Sequence, residues 1–176
     1  GEWVMRQVCR QGQQWRDAGL PDVTLAVNVS PRQFHLTDLA GCASAALAAS
    51  GFPARLLELE ITESALAERV DEVRQVLVRL RELGLRIAVD DSGTGYSSLT
   101  YLRRLPVDTL KIDQSFIRDM LDDAGDLSIV KGVIGLAVAF NRTVIAEGVE
   151  TIAHGTQLLA LGCDLVHAGR LVYSRG

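Results

Sequence analysis

Five short apolar runs in this chain each close on a carboxylate, an amide or a lysine, one run after another. They are Leu25-Ala26-Val27-Asn28-Val29, Leu57-Glu58-Leu59-Glu60-Ile61, Ile87-Ala88-Val89-Asp90-Asp91, Leu110-Lys111-Ile112-Asp113 and Val144-Ile145-Ala146-Glu147. Successive strand residues point to opposite faces, so each run read as a strand has an apolar face and a polar one. In the second run Leu57, Leu59 and Ile61 share one face while Glu58 and Glu60 share the other; in the fourth, Leu110 and Ile112 oppose Lys111 and Asp113. The apolar faces are fit to pack on helices. The polar faces gather acids, an amide and one cation, a set that is costly to bury unless its members pair or bind a cation. A metal-dependent catalytic site is the reading such a set invites.

Helical patterns lie between the runs. Trp3, Val4, Val8 and Trp15 fall near one helical face, and Ser30-Pro31-Arg32-Gln33 reads as an N-cap, a first-turn proline and a capping-box glutamine. Val70, Val73, Leu77 and Leu80 repeat at helical spacing, with Gly84 placed for a C-terminal cap. Further helices are expected from Asp126 to Phe140, stopping at Asn141, and from about Glu150 to Leu161, ahead of Gly162. The stretch Ile129 to Phe140, the longest apolar candidate, reads as a buried helix. No apolar stretch reaches the roughly 20 residues that span a bilayer.

Alternation of strand and helix implies parallel strands joined by helical crossovers. Inward-facing polar residues on every strand favour a (β/α)8 barrel, an α/β TIM-like fold, over an open doubly wound sheet whose strands would be apolar on both faces. About six strands are visible, the last near Asp164 to Tyr173, so the barrel is read as incomplete, with its early strands missing. The 176 residues suit one domain. A net charge of −4 argues against binding a nucleic-acid polymer by charge alone, though not against a small nucleotide held through metal ions. Three cysteines, Cys9, Cys42 and Cys163, form no CxxC and point to neither a zinc site nor a disulfide framework, so a reducing cytoplasm is the expected compartment.

The motifs, taken in order, resemble those of the EAL-domain family, the bacterial phosphodiesterases of cyclic di-GMP. They are Asn28-Val29-Ser30-Pro31-Arg32-Gln33-Phe34, Glu58-Leu59-Glu60-Ile61-Thr62-Glu63-Ser64, Val89-Asp90-Asp91-Ser92-Gly93-Thr94-Gly95-Tyr96-Ser97-Ser98, Leu110-Lys111-Ile112-Asp113 and Val144-Ile145-Ala146-Glu147-Gly148-Val149-Glu150. By this resemblance residues 1–176 are one EAL-like domain lacking its N-terminal part. The resemblance implies Asn28, Glu60, Asp90, Asp91 and Glu147 as ligands of Mg²⁺ or Mn²⁺, and Lys111 with Glu147 as catalytic residues, the lysine holding or activating the attacking water. Asp113 and Glu150 are implied as site-shaping residues, and Glu63 as the acid bracing the loop Asp91 to Ser98. Hard oxygen ligands suit these cations. The implied reaction is hydrolysis of cyclic di-GMP to linear pGpG. A homodimer, and an upstream sensor or GGDEF-type domain in a longer, membrane-tethered protein, are also implied.

Three features depart from the family pattern. The E-A-L tripeptide that names it, whose glutamate supplies a metal ligand, occurs nowhere in the chain. Ser92 stands where a phenylalanine is usual, which removes an apolar anchor from the loop. The segment Val166-His167-Ala168-Gly169-Arg170-Leu171 replaces the usual Gln-Gly pair, with what reads as a two-residue insertion, and His167 is not assigned the glutamine's role. These departures keep a second reading open: a non-catalytic module that binds the nucleotide or a protein partner. A third, an unrelated divalent-metal barrel, requires the ordered motifs to be accidental. His35, His154 and His167 share no ligand spacing and read as surface or structural residues. Glu58 reads as an interior acid in an ion pair.

Overall fold

A computed structural model describes residues 2–67, 69–93, 99–168 and 171–174. The chain divides into two compact units: the described residues up to Ala88 with Leu99–Val107, and the described residues from Val89 and from Asp108 onward.

The first unit starts with α1 (Glu2–Asp17), β1 (Leu25–Val29), α2 (Pro31–Leu36) and α3 (Leu39–Ser50). A 3₁₀ turn, Ala54–Leu56, leads into β2 (Leu57–Thr62), α4 (Glu63–Ala67) and α5 (Val70–Glu82). β3 (Arg86–Ser92) begins here and ends in the second unit, and α6 (Leu99–Arg104) belongs to the first. β1 and β2 pair in parallel, Val27 beside Leu59 and Asn28 beside Glu60. Leu57, Leu59 and Ile61 are fully buried, the apolar face that strand alternation predicts. Each such side chain contributes about 1.5–3 kcal/mol on leaving water. The capping box at Ser30 forms as its sequence implies: Ser30 Oγ accepts from the Gln33 amide and Gln33 Oε1 accepts from the Ser30 amide. Val73, Leu77 and Leu80 are buried along α5, which ends at Gly84 in the left-handed region, φ +88°.

Helix α1 turns a different face inward from the one its large residues suggest. Met5, Cys9 and Gly12 are buried, whereas Trp3, Val4 and Trp15 are exposed. The reason is close approach. A Cβ at Gly12 would sit 2.5 Å from the Phe52 ring and 2.7 Å from Leu25, so the helix settles on its smallest residue and leaves the tryptophans outside.

The second unit continues with β4 (Thr109–Ile112), α7 (Gln114–Asp119), α8 (Ala124–Ala139), β5 (Thr143–Glu147), α9 (Ile152–Ala160), β6 (Leu165–Ala168) and β7 (Leu171–Ser174). β4, β5 and β6 are parallel neighbours; β7 folds back antiparallel on β6. The last apolar run is therefore two short strands of a hairpin where the sequence reads as one. Helix α8 is also less enclosed than its composition implies. Val130, Val133, Ile134 and Ala137 are buried at helical spacing, but Val138 is 71% exposed. The helix buries one face, and its other face carries Gly132, Gly135 and Val138 outward; a Cβ at either glycine would meet nothing within 4 Å. Asn141 ends it with a positive φ of 53°. α9 starts two residues later than the sequence suggests, with Thr151 as its N-cap. Among the described residues, no helix is long and apolar enough to cross a membrane.

Candidate active site

The chemistry-bearing residues sit in the C-terminal halves of the strands, and each unit assembles its own group. In the first unit Asn28 and Glu60 are direct partners across the β1–β2 ladder. Asn28 is exposed, Glu60 is half-buried, and Glu58, beside Ala26, is buried. Glu63 opens α4 and is buried. The loop it is expected to brace includes residues 94–98, which lie outside the described residues.

The second unit holds a tighter cluster. Lys111 is partnered with Ile145 on β5, and Glu147 is two residues further along, so the two side chains share a sheet face. Glu147 is in turn the partner of His167 on β6. The opposite face, Leu110, Ile112, Val144 and Ala146, is buried. Lys111 Nζ lies 2.7 Å from Glu147 Oε1 and 3.3 Å from Asp90 Oδ1. The lysine side chain is 9% exposed, the carboxylates 15% and 21%. One buried ammonium thus serves two carboxylates. Pairing offsets the cost of desolvating all three, but removing one partner of such a group costs about 3–5 kcal/mol.

Backbone detail fixes the carboxylates. Asp91 takes a left-handed conformation, φ +55°, and its amide donates to Asp90 Oδ1 at 3.1 Å. Gly148 follows Glu147 at φ +69°, where a Cβ would lie 2.6 Å from the Cβ of Gln114; only glycine lets the chain turn there against α7. Asp113 caps α7, accepting from the Ser115 amide at 2.8 Å and from the Ser115 hydroxyl. Ser92 is buried and donates its hydroxyl to the Val89 carbonyl at 3.3 Å. Gly93 then approaches Ile129 and Phe116, which bring apolar contact to the start of this loop from α8 and α7.

Charge is unevenly balanced here. Burial, then the Asp90 carboxylate, then the hydrogen bond with Asp113 hold the Asp91 carboxyl above the usual aspartate range, and Glu147 adds to the effect. Burial alone would raise Asp113 too, but the Ser115 hydroxyl and amide outweigh it and keep that carboxyl below the usual range. The cluster carries more negative charge than Lys111 balances, and a divalent cation is what relieves such an excess. The carboxylate oxygens of this unit are hard donors, of the type that suits Mg²⁺ or Mn²⁺. Among the described residues, no three His, Cys, Asp or Glu groups stand gathered as a ready metal cage.

Glu150 is exposed ahead of α9, and among the described residues no hydrogen bond or ion pair brings it to Lys111. His167, read as surface or structural, stands with its Nδ1 3.7 Å from Glu147 Oε1. Strand parity carried the signal, since His167 occupies the same place at the end of its run that Glu147 holds at the end of the run before. Ser115, which fixes Asp113, gave no sequence signal beyond lying two residues past an N-cap acid. His154 is buried on α9.

A βα protein with acids and a lysine at its parallel strand ends belongs to the class whose active sites are built on the C-terminal ends of strands. More narrowly, the chain belongs to the EAL domain family, matching it over residues 1–172. It is 42% identical over 164 residues to the bifunctional diguanylate cyclase/cyclic di-GMP phosphodiesterase MucR of Pseudomonas aeruginosa, covering 93% of this chain and 24% of MucR. It is 42% identical over 165 residues to the cyclic di-GMP phosphodiesterase NbdA of the same organism, covering 94% of this chain and 21% of NbdA. The c-di-GMP complex of the PaMucR phosphodiesterase superposes with a TM-score of 0.92 at 39% identity, covering 99% of this chain and 71% of that one. The fold is therefore the α/β, TIM-barrel-like fold of EAL domains. The chain spans about a quarter of the length of the curated relatives it matches.

Proposed function

We propose that this chain is a cyclic di-GMP phosphodiesterase domain that hydrolyses its substrate to linear pGpG. The observation that carries the reading is Lys111, buried between Asp90 and Glu147 in a chain about 40% identical to named cyclic di-GMP phosphodiesterases. By resemblance, Asn28 and Glu60 in the first unit and Asp90, Asp91 and Glu147 in the second are assigned as donors to Mg²⁺ or Mn²⁺. A cation bound there would lower the pKa of a coordinated water and neutralise phosphate charge.

The chain's own residues do the rest. The Lys111 ammonium, held by two carboxylates, offers a fixed hydrogen-bond donor that orients the attacking water and favours the anion the water becomes. The water oxygen bonds to phosphorus as one P–O3′ bond breaks, and the proton the water loses is matched by the one the released 3′-oxygen takes up, which opens the ring. Asp113, locked by Ser115, fixes the turn after Lys111. Gly148 fixes the turn after Glu147. The two units are read as one EAL domain, and a homodimer with an upstream sensor or GGDEF-type domain is its proposed setting.

Chromatographic detection of pGpG tests the reading. With Mn²⁺ present, the protein carrying these residues is expected to convert cyclic di-GMP to pGpG, with Lys111→Ala and Glu147→Ala each slowing turnover by about 100-fold or more. For the 176 residues alone, which lack the E-A-L glutamate, turnover is expected to be slight. Tight nucleotide binding with no product from the longer protein would instead establish the non-catalytic module.

A further inference from the structure

The turn that carries Asp90 and Asp91 holds an unfavourable conformation, and its neighbours show what keeps it there. Asp91 has a φ of +55° and Gly93 a φ of +105°, on either side of the buried Ser92. A residue with a Cβ keeps a left-handed conformation only where its surroundings hold it. The Ser92 hydroxyl donates back to the Val89 carbonyl, which ties the strand end to itself. Contact with other elements falls at Gly93, where a Cβ would lie 2.9 Å from Ile129 Cγ2 and 3.0 Å from Phe116 Cε2. Phe116 stands one helical turn past Asp113, whose carbonyl accepts from the Phe116 amide and whose carboxyl shares a hydrogen bond with Asp91. Helix α7 thus meets this turn twice, with a carboxyl at Asp91 and a ring at Gly93, and α8 closes on it with Ile129.

We propose that Phe116 and Ile129 are positioning residues, closing on Gly93 so that Asp91 keeps its left-handed turn and Asp90 stays on Lys111. The link is short. The Asp91 amide donates to Asp90 Oδ1 at 3.1 Å, and the same oxygen lies 3.3 Å from Lys111 Nζ. If Gly93 moves off the two apolar side chains, Asp91 relaxes out of its left-handed conformation and its amide turns away. The Asp90 oxygen then loses one of the donors that orient it. In this chain the two helices supply the apolar anchor, because a serine stands at position 92. Phe116 and Ile129 are only half-buried, so truncating either opens little of the core. The effect on turnover rests on the phosphodiesterase reading above; the clamp itself does not.

The test uses the full-length protein carrying these residues, with Phe116→Ala, Ile129→Ala and, as a control for lost packing on α8, Ile134→Ala at a buried position. Amide exchange of the peptide from Asp90 to Gly93, read by mass spectrometry without substrate, is expected to quicken by about tenfold or more in the first two variants and not in the third. Turnover of cyclic di-GMP in those two is expected to lose about tenfold in kcat with KM changed by less than about twofold. Carboxylates displaced by a fraction of an ångström still admit the substrate but no longer hold the reacting groups in line. Ile129→Val, which keeps the Cγ2 methyl, should recover most of both losses. Unchanged exchange in both alanine variants overturns the clamp. Faster exchange with an unaltered kcat, or an equal loss in Ile134→Ala, overturns the positioning role and leaves the contact as packing. Absence of pGpG from the unaltered protein overturns the phosphodiesterase reading alone, since exchange decides the clamp without substrate.

Discussion

Lys111 answers for two carboxylates at once, and beside them burial and the neighbouring acids hold the Asp91 carboxyl above the usual aspartate range. That imbalance sets a measurable pH dependence for the metal-free protein. Asp91 titrates above the ordinary aspartate value of 3.8 in the folded chain, so between that value and its raised one the folded state holds a proton the unfolded state has lost. Stability should therefore fall as pH rises through that window. Asp113 has the opposite sign: its lowered value adds stability above 3.8 that is lost as pH falls through its folded value, so the two windows lie on opposite sides of 3.8. Asp91→Asn, tolerable at a positive φ where asparagine is favoured, should abolish the upper slope and stabilise the metal-free protein near neutral pH. Urea midpoints measured across the acid range check this; an unaltered slope in Asp91→Asn would place the excess charge elsewhere.

Among the elements, β1 is an edge strand. Its ladder is with β2, and among the described residues no strand pairs along its other side. The run Leu25–Val29 contains no charge and no proline to discourage a second chain from pairing there. Ala26 and Asn28 are exposed on it, and nearby in sequence Trp15, Leu20 and Val23 are exposed as well. Concentration-dependent self-association of the 176-residue chain is expected, and Ala26→Lys should reduce it by placing a charge on the edge. Sedimentation velocity at rising concentration distinguishes the two. A strictly monomeric unaltered chain would show that this edge is protected. Helix α1 shows why such exposure is hard to see beforehand. Two tryptophans and two valines mark an apolar face in the sequence, but the fit of Gly12 against Phe52 and Leu25 decides which face goes inside.

For the molecule as a whole, cation binding should appear as stability. A ligand that binds only the folded state stabilises it by about 2.7 kcal/mol when present at 100 times its Kd. Mn²⁺ is therefore expected to raise the thermal midpoint in a concentration-dependent way, and a chelator to reverse the gain. In Lys111→Ala the metal-free protein should already be less stable, by up to about 3–5 kcal/mol, because two largely buried carboxylates lose their shared partner. Calorimetry with and without Mn²⁺ separates the two effects. A midpoint indifferent to both metal and chelator would count against a cation site.

The sequence by itself determined the alternation of strands and helices, the capping box at Ser30, the core stripe of α5 and the polar strand ends. These depend on periodicity and on side-chain chemistry within a few residues, and both are written in the order of the chain. Parity also put Asn28 and Glu60 on a common face, and Lys111 and Glu147 on a common face, once the strands were taken as parallel neighbours; which residues stand opposite one another is a matter of register. Only tertiary structure decided the inward face of α1, the one-sided burial of α8 and the splitting of the last run into a β6–β7 hairpin. It also decided that His167 lies beside Glu147 and that Ser115 holds Asp113. Those outcomes turn on how closely two segments approach and in which register they pair. Such quantities are fixed by packing between distant parts of the chain, and no local pattern encodes them.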